Sequence, residues 1–197
     1  TRLTDDLSRT IKAPLSAKRA SSTAIATALP GVRVAATYPQ LAGVLGVPFV
    51  ELDREVEREA GAKLGEVFAM YGQEAFRRFE RRALERVLRT HDAAVIAAGG
   101  GLVTDPDTYR LLLDNCHAVW LKARPEEHMN RVIAQGDMRP FAGKMQGQGR
   151  PAALEEIRQL LADRDRLYSR AAATVDTTGK PLKDSFSELK KALMERR

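Results

Sequence analysis

An apolar run, Ala93-Ala94-Val95-Ile96-Ala97-Ala98, leads straight into three consecutive glycines, Gly99-Gly100-Gly101. A short unbroken stretch of apolar residues reads as a strand buried on both faces, as a parallel sheet requires. Glycine has no Cβ, so the loop after this strand leaves main-chain N–H groups open to close approach. Open α/β sheets hold their ligands at such carboxyl ends of strands.

The rest of the chain fits the same plan from Gly46 onward. Phe49-Val50-Glu51-Leu52-Asp53 reads as a short strand and its exit, followed by a helix over 54–60 that Gly61 closes. Helical spacing predicts one piece over 64–71, stopped by Gly72, and a longer helix over 73–89 with Phe76, Phe79, Ala83 and Val87 on one face. Asp105-Pro106 opens a further helix, with proline at its favoured first position. Strands at 118–121 and 174–176 alternate with helices over 125–135, 152–168 and the closing segment around Leu182 to Leu193. That alternation predicts an α/β fold, a parallel sheet flanked by helices on both faces. Residues 1–30, rich in Ser, Thr, Ala, Lys and Pro, read as a linker or disordered tail, and 31–197 as one domain.

At 197 residues the chain suits a single sizeable domain. Its net charge of +6 is uneven: residues 1–40 hold six basic and two acidic groups, so most of the excess lies ahead of the folded body. That placement argues against a nucleic-acid groove across the domain. No apolar run approaches the ~20 residues of a membrane span, and the N-terminal stretch lacks the centre of a secretory signal. The lone cysteine, Cys116, fits a reducing cytoplasm. The chain starts at Thr1 rather than Met, as a fragment or processed product would.

Four charged residues stand out. Arg164 shares the helical stripe of Ile157, Leu161 and Tyr168, so it points inward and needs an anion, an internal carboxylate or a route to the surface. Arg77 lies on the flank of its helix, with Glu80 placed three residues on to hold it, either over a cleft or as a surface pair. Asp53 at the strand exit can take a proton from a hydroxyl or help hold Mg²⁺, or it can cap the next helix. Arg139, in the Gly-, Lys- and Gln-rich loop over 136–150, can close over a phosphate or stand in solvent. The three histidines show no metal-ligand spacing and read as surface or helix-end residues.

Taken together, these residues resemble the shikimate kinase family. The resemblance rests on Phe49 to Asp53, Gly61, Phe68, the run from Gly72 to Glu80, the triple glycine, Met138-Arg139-Pro140 and Arg164-Asp165-Arg166-Leu167-Tyr168, in order and from about Gly46 to the C-terminus. It implies a P-loop NTPase-like fold with a parallel sheet of about five strands, and ATP- and Mg²⁺-dependent phosphorylation of the shikimate 3-hydroxyl. It implies that Asp53, Arg77, Gly99, Gly100, Gly101 and Arg164 hold the small anionic substrate, the arginines taking its carboxylate. Asp53 would also aid deprotonation, Glu51 would be a metal ligand, and Arg139 would be the lid arginine that meets ATP. A narrower likeness, over Trp120 to Pro140, is to regulators of aerobic benzoate degradation, which join a helix-turn-helix domain to a shikimate-kinase-like domain that senses benzoyl-CoA. On that likeness the ligand is an acyl-CoA, and DNA is met only through an N-terminal domain outside these residues.

One part of the family pattern does not appear. A Gly-x-x-x-x-Gly-Lys-Ser/Thr loop belongs ahead of Asp53, with its lysine near Val34 and its hydroxyl near Ala35. The chain reads Pro30-Gly31-Val32-Arg33-Val34-Ala35-Ala36-Thr37 there. Both the phosphate loop and the first strand are therefore expected to be aberrant, with 32–36 the segment left to serve as that strand.

Overall fold

The structure, a computed structural model, describes residues 22–27, 32–135 and 149–194. In chain order the elements are β1 (Ser22–Thr27), α1 (Val32–Leu45), β2 (Phe49–Glu51), α2 (Leu52–Ala60), α3 (Leu64–Thr90), β3 (Val95–Gly99), a 3₁₀ turn (Gly100–Thr104), α4 (Pro106–Asn115) and β4 (Cys116–Lys122). They continue with α5 (Pro125–Gln135), α6 (Gly149–Tyr168), β5 (Ala173–Asp176) and α7 (Leu182–Met194). The five strands are parallel and ordered β2-β3-β1-β4-β5. The chain passes from β3 across β1 to reach β4, so the strand order reverses beside β1 and β3. A crevice opens at that point in sheets of this kind.

The first strand corrects the sequence expectation. Residues 32–36 are helical, and the central strand is Ser22–Thr27, within the stretch expected to be linker. Thr23, Ile25 and Thr27 alternate with small residues, a β-branched pattern that suits a pleated strand. From Val32 the spacing turns helical instead, and Tyr38, Leu41, Ala42 and Leu45 are buried at intervals of three and four. In register, Thr27 lies beside Gly99 on one side and Leu121 on the other, so β1 ends next to the glycine loop.

Two apolar layers sandwich the sheet. Tyr38, Leu41 and Leu45 of α1 and Leu189 and Leu193 of α7 pack with Val95, Val119, Leu121 and Val175 on one face. Leu52, Val56, Phe76, Leu84, Leu112 and Tyr168 pack with Ile96, Ala98, Ala118 and Trp120 on the other. Val95 and Ile96 thus serve opposite layers, which explains why β3 is continuously apolar in sequence.

Asp105 caps α4 as expected, its Oδ1 accepting from the Thr108 backbone N–H at 2.8 Å. Gly72 breaks α3 with φ 73° and ψ −178°, a conformation open in practice only to glycine. Among the described residues, no helix is long and apolar enough to cross a membrane.

Candidate active site

The site forms where β2 and β3 end. β2 stops at Glu51 because Leu52 and Val56, both fully buried, set an i,i+4 helical spacing immediately after it. Asp53 therefore sits in the first turn of α2 rather than at the strand end. The cap position belongs to Glu51, whose side chain makes no capping bond. Asp53 lies over the glycine loop: a Cβ built on Gly99 would come within 3.8 Å of its Oδ1.

Arg77 of α3 comes closer still. A Cβ on Gly101 would stand 2.5 Å from Arg77 Nη2 and 3.4 Å from its Cζ, so the guanidinium occupies the space a side chain would need. Its Nη1 donates to Glu80 Oε2 at 2.5 Å, and its Cζ lies 5.1 Å from the centre of the Phe76 ring. Arg77 is only 15% exposed and Glu80 is buried. Arg77 Nε has no hydrogen-bond partner among the described residues. Burial raises the Glu80 carboxyl from its ordinary value to about 7. The Arg77 charge opposes this rise, and the negative charges of Asp53 and Asp105 add to it. The sequence spacing that paired Glu80 with Arg77 therefore describes an interior clamp, not a surface pair.

Arg164 reaches the same place from α6. The buried Tyr168 hydroxyl donates to the Gly100 carbonyl at 2.9 Å. Burial raises the Tyr168 phenol; the adjacent Arg164 guanidinium and, more weakly, Arg77 oppose that rise. Arg164 thus sits at the Tyr168 hydroxyl, while Arg77 is felt there only through its charge. Tyr109 of α4 fixes the end of α6, its hydroxyl donating to Leu167 O at 2.8 Å. The Tyr168 ring stacks on Trp120 with centroids 5.0 Å apart. The anchoring role of Tyr168 was missed in the sequence, where it stood on an apolar stripe and closed the Arg164-Asp165-Arg166-Leu167-Tyr168 run. The available signal was its hydroxyl, which a buried tyrosine must satisfy.

Other expected residues lie elsewhere. Glu51 Oε2 pairs with Arg54 Nε at 2.6 Å. Among the described residues, no three or more His, Cys, Asp or Glu side chains are grouped to hold a metal ion. Arg139 falls outside the described residues. His128, expected at a surface or helix end, is 1% exposed. Cys116 is buried, as a small apolar side chain would be, and its thiol is raised to about 12 by that burial.

Asp53 and Arg77 stand against the glycine turn, and Arg164 lies beside the Tyr168 hydroxyl that bonds that turn; Arg164 also lines a cavity along α6 with Ala152, Glu156, Gln159 and Asp163. Paired guanidiniums suit a carboxylate or phosphate, and a carboxylate over a glycine turn suits a hydroxyl. The sequence ahead of and into α1 lacks the residues of a triphosphate cradle. Residues 28–37 contain no lysine and a single glycine, Pro30 has no N–H to donate, and Val32 to Ala35 bring no hydroxyl to the first turn of α1. Those residues do not fit a bound Mg·ATP.

The family model for shikimate kinase matches residues 37–194, which takes in the site residues and leaves out β1 and the segment after it. A shikimate kinase of Caulobacter vibrioides is 35% identical over 179 residues, covering 91% of this chain and 81% of the relative. One of Thermus thermophilus is 35% identical over 150 residues, covering 76% and 78%. The fold is shared with shikimate kinase from Acinetobacter baumannii, solved in complex with shikimate, at a TM-score of 0.71 and 23% identity over 87% of this chain and 93% of that one. The enzyme from Bacteroides thetaiotaomicron superposes at 0.73 and 24% identity over 87% and 98%. With the family model matched from residue 37 to 194 and relatives 35% identical over most of its length, the chain belongs to the shikimate kinase family.

Proposed function

We propose that this chain binds shikimate in the hollow beside Gly99–Gly101 and that its phosphoryl transfer is weak. Arg77 and Arg164 take the substrate carboxylate. Asp53 holds the hydroxyl to be phosphorylated and accepts its proton. The observation that carries this is the seating of the Arg77 guanidinium on Gly101, inside the space of a missing Cβ, together with Arg164 at the Tyr168 hydroxyl. Shikimate kinases use ATP and Mg²⁺, and by its place in Met138-Arg139-Pro140 Arg139 resembles the family's lid arginine. The nucleotide side is where this chain departs. Phosphoryl transfer rests on positioning and charge stabilisation, and losing one preorganised donor elsewhere lowers rates by ~10²–10³. Here the cradle, its lysine and its hydroxyl are all missing from the sequence.

A thermal-shift series on the purified chain tests the substrate assignment. Shikimate should raise the melting temperature in a saturable way, by the amount mass action sets. Arg164→Ala should remove that shift. Benzoyl-CoA is the second ligand, because the Trp120 to Pro140 likeness points to it. A shift with benzoyl-CoA alone would transfer the site to a sensing role, and a shikimate shift that survives Arg164→Ala would remove the carboxylate assignment.

A further inference from the structure

A second cavity, of about 590 Å³, opens between α5, α6 and the carboxyl ends of β4 and β5. The Tyr168 ring separates it from the glycine loop, with its hydroxyl on Gly100 and its face on Trp120. The family's substrate hollow accounts for none of its polar groups. Ala123, Pro125, Leu161 and Ala162 give it apolar walls. Trp120, 6% exposed, forms part of its lining, and the buried indole Nε1–H has no hydrogen-bond partner among the described residues. The Lys122 ammonium stands 5.0 Å from the centre of that ring.

The charges are balanced. Lys122 and Arg124 line the cavity together with Asp165 and Asp176. Lys122 Nζ is 3.7 Å from Asp165 Oδ1, and Arg124 Nη2 is 3.4 Å from Glu127 Oε1, both loose contacts that leave donor and acceptor capacity. The Thr178 hydroxyl and then its backbone N–H, at 2.8 Å, donate to Asp176 and hold its carboxyl below the usual range. Two positive and two negative groups disfavour a purely anionic ligand such as a nucleotide. Apolar walls with both signs at the rim favour a small zwitterion with a hydrocarbon body.

We propose that this cavity is a binding site for a free α-amino acid with a hydrophobic side chain. The carboxylate meets Lys122, Arg124 and the Trp120 N–H, the ammonium meets Asp165 and Asp176, and the side chain lies on Leu161 and Ala162. The site is independent of the shikimate assignment.

Isothermal titration of the intact chain with L-phenylalanine as probe tests it, alongside 3-phenylpropionate, which lacks the ammonium, and 2-phenylethylamine, which lacks the carboxylate. Saturable L-phenylalanine binding is expected, with each analogue at least tenfold weaker. Lys122→Met and Asp165→Asn should each weaken it at least tenfold. Both side chains are half exposed or more, so the variants should melt like the parent. Trp120→Phe, which keeps a ring and deletes the donor, should also weaken binding. A flat titration, analogues that bind as well as the amino acid, or variants of unchanged affinity would each overturn the proposal.

Discussion

Gly101 and Glu80 act on Arg77 from opposite sides. At Gly101 a methyl group would collide with the far end of a flexible side chain, 2.5 Å from Nη2, so the fold has room to yield while the guanidinium is displaced. Gly101→Ala is therefore expected to lower stability by about 1–3 kcal/mol, because the displaced guanidinium loosens its hydrogen bond to the buried Glu80. The same change should weaken shikimate binding by about 10-fold or more, because a misplacement of about 1 Å is enough to lose such geometry. Titration and melting of the same sample check both halves. Glu80 supplies a pH signature. Its carboxyl ionises near 7 when folded, against an ordinary value of 4.5, so the folded state holds its proton more tightly. Its contribution is complete below pH 4.5, is lost as pH rises toward 7, and stays lost above it, a swing of roughly 3 kcal/mol. Urea unfolding between pH 4.5 and 7.5 should show that slope in the parent and a flatter profile in Glu80→Gln, where the amide can still accept from Arg77. Equal slopes would contradict the burial argument.

At the scale of elements, β1 carries the sharpest consequence. Ile25 pairs with Ala97 on one side and Val119 on the other, so its backbone belongs to the middle of the sheet. Ile25→Pro removes a ladder donor from a central strand and is expected to destabilise by about 3 kcal/mol or more. A linker at that position would tolerate the proline, and denaturant midpoints distinguish the two. The strand escaped sequence reasoning because Ser22 to Thr27 mixes small and hydroxylated residues that composition alone assigns to solvent. The expectation of a strand at 32–36 failed because the helical spacing that decides the segment, Tyr38, Leu41, Ala42 and Leu45, lies beyond it. β3, α4 and the break at Gly72 were legible because each has one dominant cause: an unbroken apolar run, a proline start, a glycine inside a helical pattern. Spacing also placed Arg164 on the inward stripe and Glu80 beside Arg77. It could not show that Asp53 sits in the first turn of α2, because two buried residues decide where β2 ends.

The whole molecule joins a site and a departure at the carboxyl end of the sheet. α2, α3, β3 and α6 bring Asp53, Arg77, the glycine loop and Arg164 together, all within the span where the shikimate kinase pattern holds. Beside them, β1 runs into residues whose chemistry does not suit a triphosphate. A protein that grips its acid substrate without holding nucleotide should separate the two binding events cleanly. Isothermal titration of the same preparation with shikimate and then with Mg·ATP measures this most directly. The expected result is a saturable shikimate isotherm that Arg164→Ala abolishes and a flat Mg·ATP isotherm. Tight Mg·ATP binding, or a flat shikimate isotherm from well-folded protein, would contradict it.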